Sequence, residues 1–274
     1  MPTYLLPITI DTPPLFSADD RILLGEGLFE TIRVVEQRPC YPYLHWQRMR
    51  QSAMSLGIPF DISYKQWHEH LVHRIGVSEL QNGGIKVILS GGHAARGLHE
   101  HGHTSSLLFE AFTYPCLRQA LNIVSAPWRR DAKNPIYQLK SVNYLESILA
   151  RRQALASGAD DAFFYNLEHH VTETTIANLF VVQQNAIVTP MIASGVLGGI
   201  IRSRILGLCR DKGISCTEIS LDNTTMIKAD AVFVTNALQG IRLVKSIDGR
   251  CMPIHHPLIT LLRRLLAKDK ERWD

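Results

Sequence analysis

Four features, far apart in a 274-residue chain, carry residue types that together suit a phosphorylated pyridine aldehyde: Lys140, Glu173, Arg48 and the helix start after Gly198-Gly199. An aldehyde of that kind is held by an amine that forms a Schiff base, so one lysine has to sit in a restricted pocket at reduced basicity. An acid beside the pyridine nitrogen keeps that nitrogen protonated, and the ring then accepts electrons from a carbanion. A helix amino terminus and an arginine bind the phosphate dianion through backbone N–H groups and charge-assisted hydrogen bonds. Singly, each has a plainer reading. Lys140 reads as a surface lysine and Arg48, off the apolar stripe of its helix, as a solvated guanidinium. Glu173 is less ordinary, an acid set among Thr and Val just before an apolar run.

Other candidate chemistry is weaker. Gly25-Glu26-Gly27 lacks a third glycine and precedes a strand, so it is no dinucleotide fingerprint, and the chain has no Walker-type Gly-Lys-Ser/Thr. His99, His101 and His103 would share one face of a strand as a metal trio, yet their Gly-rich polar setting reads as a loop, and no metal is expected. Ser90-Gly91-Gly92 has no nucleophile elbow around it. Asp160-Asp161 follow a helix and read as solvated.

The elements that must position these residues follow from periodicity. Leu28 to Val35 reads as a strand turning at Glu36-Gln37-Arg38-Pro39. Trp46, Met49, Ala53 and Leu56 recur at helical spacing before Gly57, a second helix covers Tyr64 to Ile75, and strands follow at Ile85 to Leu89 and Leu107 to Phe112 around the segment Gly91 to His103. A boundary is expected at 114–119, separating a small α+β domain (1–113) from a larger one (120–274) that carries Lys140. The larger part opens with a strand near Leu121 to Ser125 and a polar loop, Arg129 to Pro135. A helix then runs from Asn143 to Ser157 with Leu145, Ile148, Leu149, Leu155 and Ala156 as its apolar face and Arg152 on the same stripe. Strands at Ala162 to Tyr165, Asn178 to Val182, Ala186 to Thr189, Ser215 to Ile219, Ala231 to Val234 and Ile241 to Ile247 surround a helix at Ile200 to Lys212. A last helix aligns Leu258, Leu261, Leu262, Leu265 and Leu266.

Composition is consistent with such a core: 46% of residues are hydrophobic, and the formal net charge of +4 is spread without a basic tract, which speaks against nucleic acid. Five scattered cysteines without a C-x-x-C pair suggest neither a disulfide framework nor a zinc knuckle and fit a reducing cytoplasm. The first residues, MPTYLLPITIDTPP, have no basic lead, and no apolar run approaches the roughly 20 residues of a membrane span, so neither secretion nor membrane insertion is expected.

Four segments, in order and separation, resemble the class IV aminotransferases, also called fold type IV pyridoxal 5′-phosphate (PLP) enzymes: Gly25-Glu26-Gly27-Leu28-Phe29-Glu30-Thr31-Ile32-Arg33; His45-Trp46-Gln47-Arg48; Lys140-Ser141-Val142-Asn143-Tyr144; and Thr172-Glu173 followed by Asn178-Leu179-Phe180. The resemblance runs from about Asp20 to Val244. It implies a mixed α+β and α/β two-domain fold of the D-amino-acid aminotransferase type, a homodimer, and PLP as cofactor. It further implies that Lys140 bonds the cofactor covalently, Glu173 meets the pyridine nitrogen, Arg48 meets the phosphate, backbone amides at Ile200-Ile201 and Asn236-Ala237 complete the phosphate cup, and Tyr144 touches the phenolic oxygen. Within the family, Thr31, Asn236-Ala237-Leu238 and Arg96-Gly97-Leu98 look like the aminodeoxychorismate lyases. By that likeness Thr31 would act on the leaving group and Arg96 on a substrate carboxylate. An arginine common earlier in the loop is replaced here by Gly91-Gly92. The alternative is an aminotransferase acting on D-alanine or branched-chain amino acids.

Overall fold

The computed structural model describes residues 17, 19–115 and 119–273. The opening segment and the middle of the expected linker, 116–118, lie outside the described residues.

The first sheet grows from a tight hairpin. Glu36 and Gln37 take the left-handed conformation (φ 49° and 62°), which suits the right-handed twist of β1 (Gly27–Val35) pairing with β2 (Arg38–Pro39). Helices α1 (Pro42–Leu56) and α2 (Tyr64–Val77) follow, α1 closed by Gly57 at φ 69° and α2 opened by a Ser63–Gln66 capping box. With β3 (Asn82–Ser90) and β4 (Leu107–Thr113) the antiparallel sheet order is β2-β1-β3-β4. Alternation divides β1 cleanly: Leu28, Ile32 and Val34 enter a core with Trp46, Met49, Trp67 and Leu71 from the two helices, whereas Phe29, Thr31 and Arg33 face the other way.

The second sheet contains β5 (Leu121–Arg130), β6 (Asp161–Asn166), β7 (Val171–Thr174), β8 (Asn178–Gln183), β9 (Ala186–Pro190), β10 (Cys216–Ile219), β11 (Ala231–Asn236), β12 (Gly240–Ile247) and β13 (Arg250–Cys251). Because β7 pairs with both β6 and β8, the ring β8, β11, β12, β5, β6, β7 closes on itself. One alternation of these strands (Leu179, Val181, Val232, Val234, Phe163) fills the ring. The other (Phe180, Val182, Ala231, Phe233) meets α4 (Ile200–Asp211) and α6 (Pro257–Ala267), and the short α5 (Asn223–Ile227) adds Met226 to the inner core. Mixed α and β architecture is therefore present, as the sequence implies.

Three local expectations are corrected. Helix α3 (Leu145–Ala156) buries Ala150 and Ala154 against β5, β6 and Phe164, because only small residues allow that close approach. Its expected apolar face points outward, with Leu145 66% and Leu155 56% exposed. Arg129 and Arg130 are not loop but the end of β5, and the Arg130 side chain is buried. Asp161 is buried rather than solvated, accepting from Thr175 Oγ1 and from the Ala162 amide at 2.9 Å. Strand β7, which carries Glu173, was not anticipated; at four residues it is too short to show periodicity.

Candidate active site

A cavity of about 260 Å³ opens between the outward face of β1 and the strand ends of the closed ring. Phe29 and Thr31 form one wall, and Lys140, Tyr144 and Glu173 another. Arg48, Ile200, Ile201, Asn236 and Ala237 lie along it too.

Lys140 is delivered by a segment hydrogen-bonded to the start of β1. The Phe29 amide donates to Lys140 O at 2.9 Å and the Val142 amide to Gly27 O at 3.0 Å. Lys140 Nζ stands 4.2 Å from the Phe29 ring centroid and donates to Tyr144 Oη at 3.4 Å. Burial, with the nearby charge of Arg48, lowers the lysine to about 8, against the opposing pull of Glu30 and Glu173. The amine is thus partly neutral near physiological pH. Burial and the Glu173 charge push the Tyr144 phenol up to about 12, so it stays protonated.

Glu173 sits where β7 joins β8, paired in register with Asn178. Its Oε2 accepts from Asn178 Nδ2 at 3.1 Å and the Leu197 amide at 3.2 Å, and its Oε1 from Arg130 Nη1 at 3.3 Å. Burial raises the carboxyl to about 7, with Arg130, the Leu197 amide and Lys140 drawing it down.

Arg48 is not a solvated guanidinium. Its Nε donates to Glu30 Oε1 at 2.8 Å, its Nη2 to Glu30 Oε2 at 2.6 Å, and its Nη1 to Gly198 O at 3.0 Å, which ties α1 to the start of α4. Glu30 is buried; burial alone would raise it, but Arg48 and His45 hold it at about 2. His45 Nδ1 lies 2.6 Å from Glu30 Oε2. Burial pushes His45 below its usual range, so the neutral imidazole donates from Nδ1 to the carboxylate, leaving Nε2 buried without a partner.

At the far end, α4 begins without a side-chain cap: Gly199 is the N-cap, and a Cβ there would come within 1.9 Å of Asn178 Oδ1. The amides of Ile200 and Ile201, in the first turn, have no intrahelical acceptor, and no side-chain cap takes their place. Thr235 Oγ1, on the same wall, is buried and has no hydrogen-bond partner. Unsatisfied helix amides, an orphaned hydroxyl and a guanidinium make a donor set that fits a phosphate dianion, while an amine of low basicity and a buried acid fit an aldehyde and a ring nitrogen. The residues present fit PLP.

Arg96 is not brought to this cavity; it is exposed on the segment between β3 and β4. Glu30 and His45 have no role in the sequence pattern and Arg130 falls there in a polar loop, yet all three surround the site: His45 and Arg48 hold Glu30, and Arg130 reaches Glu173. Glu30 had left a signal, being an acid on the inward alternation of an apolar strand. Among the described residues no group of three His, Cys, Asp or Glu is arranged to hold a metal ion.

The amino-transferase class IV family model matches residues 27–247. The chain belongs to that family. Among solved structures, this class IV chain is similar to a Legionella pneumophila protein provisionally named 4-amino-4-deoxychorismate lyase, with 52% identity, a TM-score of 0.92, and 95% of this chain and 97% of the other covered. It is 28% identical to a D-alanine aminotransferase of Bacillus licheniformis, over 82% of this chain and 80% of that one. It is 27% identical to an aminodeoxychorismate lyase of Vibrio harveyi, over 88% and 90%. The class IV membership makes the protein a PLP-dependent enzyme.

Proposed function

We infer that the protein is a 4-amino-4-deoxychorismate lyase, which converts aminodeoxychorismate to 4-aminobenzoate and pyruvate on the route to folate. The observation that carries this reading is the 52% identity to the Legionella protein over 95% of the chain; the placement of Thr31 in the same cavity as Lys140 supports it.

The site residues divide the work. Arg48, the amides of Ile200 and Ile201, and the turn at Asn236-Ala237 bind the phosphate. Glu173 meets the pyridine nitrogen, and Tyr144 the phenolic oxygen. When bound, PLP supplies an electron sink for the substrate carbanion. Lys140 Nζ would hold the cofactor covalently and, once free as the neutral amine, would take the proton from the substrate carbon that bears nitrogen. Thr31 Oγ1 would donate a proton to the enolpyruvyl oxygen as its C–O bond to the ring breaks, regaining in its place the proton that Lys140 has taken, and the remaining ring becomes aromatic.

The test is to give purified protein aminodeoxychorismate alone. Release of pyruvate and 4-aminobenzoate is expected, and it should vanish in Lys140→Ala together with the visible absorption of the bound cofactor. Exchange of amino groups between amino and keto acids without that release would replace the lyase reading by a D-alanine or branched-chain aminotransferase.

We propose further that the chain works as a cytoplasmic homodimer and that its two sheets define two domains joined at 114–119. Supporting the dimer, the outward face of α3 (Leu145, Ile148, Leu149) has Leu23 and Leu24 exposed beyond it, and Asn143 Nδ2 links the two regions by donating to Gly25 O at 2.7 Å. No described helix is long and apolar enough to cross a membrane.

A further inference from the structure

Arg130 is the last residue of β5, the point from which the chain runs out to Lys140 and back into α3. Its side chain is 4% exposed and is held on every side. The guanidinium carbon lies 3.5 Å from the Phe164 ring centroid and 4.7 Å from that of Tyr137. Its Nε donates to Glu146 Oε2 at 2.8 Å, its Nη2 to Ser147 Oγ at 3.2 Å, and its Nη1 to Glu173 Oε1 at 3.3 Å. Glu146 Oε1 also accepts from Trp128 Nε1 at 3.1 Å and Tyr137 Oη at 3.3 Å. The arginine therefore has little freedom to turn away from Glu173.

That fixed charge answers a problem built into the site. Burial favours the neutral acid at Glu173, and a neutral acid beside a pyridine nitrogen keeps the shared proton for itself. A cation on the far side of the carboxylate stabilises the anion and shifts the proton toward the ring nitrogen. We propose that Arg130 is a positioning residue for Glu173, holding its carboxylate ionised and aimed so that the proton between Glu173 and the cofactor rests on the ring nitrogen. This rests on the reading of Glu173 given above. Glu146 is one of several groups that keep Arg130 in place, with Ser147 and the rings of Phe164 and Tyr137 holding it as well.

The experiment is nitrogen-15 NMR of the holoenzyme loaded with PLP labelled at the ring nitrogen, near pH 7, for wild type, Arg130→Met, Glu146→Gln and Glu173→Gln. Wild type should give a resonance near the pyridinium position. In Arg130→Met, which keeps the apolar stem between Phe164 and Tyr137, it should move toward neutral pyridine while the cofactor stays bound. In Glu146→Gln the arginine keeps its charge, and the resonance should remain pyridinium-like. An unmoved resonance in Arg130→Met, or loss of the cofactor alone without such a move, would overturn the proposal, because a packing role does not relocate a proton. Should Arg130→Met fail to fold, an unmoved resonance in Arg130→Gln, which removes the charge alone, overturns it instead. If Glu173→Gln also leaves the resonance where wild type has it, the assignment of Glu173 itself falls; if Glu173→Gln moves it and Arg130→Met does not, only the role of Arg130 falls.

Discussion

A lysine lowered from 10.5 to about 8 changes how the protein acquires its cofactor. Only the neutral amine attacks an aldehyde, and below pH 8 its fraction falls about tenfold per pH unit. Covalent capture of PLP by cofactor-free protein, followed by stopped-flow absorbance, should accelerate with pH and level off near 8; a rise that continues toward 10.5 would show that Lys140 is not enclosed as described. Glu30 gives a second expectation. Its native value of about 2 lies below the ordinary 4.5, so the stabilisation it contributes is complete above about pH 4.5 and is lost as the pH falls toward 2. Glu30→Gln leaves Arg48 without its buried counter-charge and should cost about 3–5 kcal/mol in urea unfolding at pH 7, with the difference from wild type shrinking at pH 3. The two residues also differ in legibility. Lys140 could be singled out because distant Glu173 and Arg48 gave it a chemical task, whereas the partners of Glu30, His45 and Arg48, come from a helix whose packing on β1 the sequence pattern does not specify.

Among the elements, α4 is the one whose uncapped first turn the proposed function assigns to the phosphate. Proline is tolerated in the first turn of a helix, since those amides have no intrahelical partner. Ile200→Pro therefore removes a donor without breaking α4. A lost charge-assisted hydrogen bond of about 1.5–3 kcal/mol corresponds to PLP binding weakened roughly ten- to hundred-fold, measurable by fluorescence quenching; unchanged affinity would remove the α4 amides from the phosphate site. The Gly198-Gly199 step and the apolar run after it made this helix readable in advance. Helix α3 shows the opposite case. Its stripe of Leu145, Ile148 and Leu149 has the right period, yet periodicity reports only that a face is apolar, not which neighbour covers it. The two alanines that face β5 and β6 left no comparable signal. Arg130 was misplaced for a related reason: Arg129-Arg130 reads as polar loop, while the aromatic slot that buries the second arginine is built by Tyr137 and Phe164 from later in the chain.

For the whole molecule, most strands and helices were legible because alternation and helical spacing are local properties. Closure of the second sheet was not, since it depends on a four-residue strand meeting two neighbours. The outward leucines of α3 bear on assembly at this scale. If the proposed homodimer forms through this face, Leu149→Asp should give a monomer in sedimentation velocity where wild type gives a dimer, and leave the thermal unfolding of the monomer little changed, because the position lies outside the chain's own core; a variant that stays dimeric would place the subunit contact elsewhere. One feature of the fold reaches beyond any single sheet. The segment bearing Lys140 lies in sequence between β5 and α3 of the second sheet, yet its backbone is laced to β1 of the first by Phe29 N to Lys140 O and Val142 N to Gly27 O. Lys140 thus sits on a seam shared by the two sheets. Neither half, expressed alone, has both edges of that seam, and a break between them frees the lysine at the same moment as it opens the cavity.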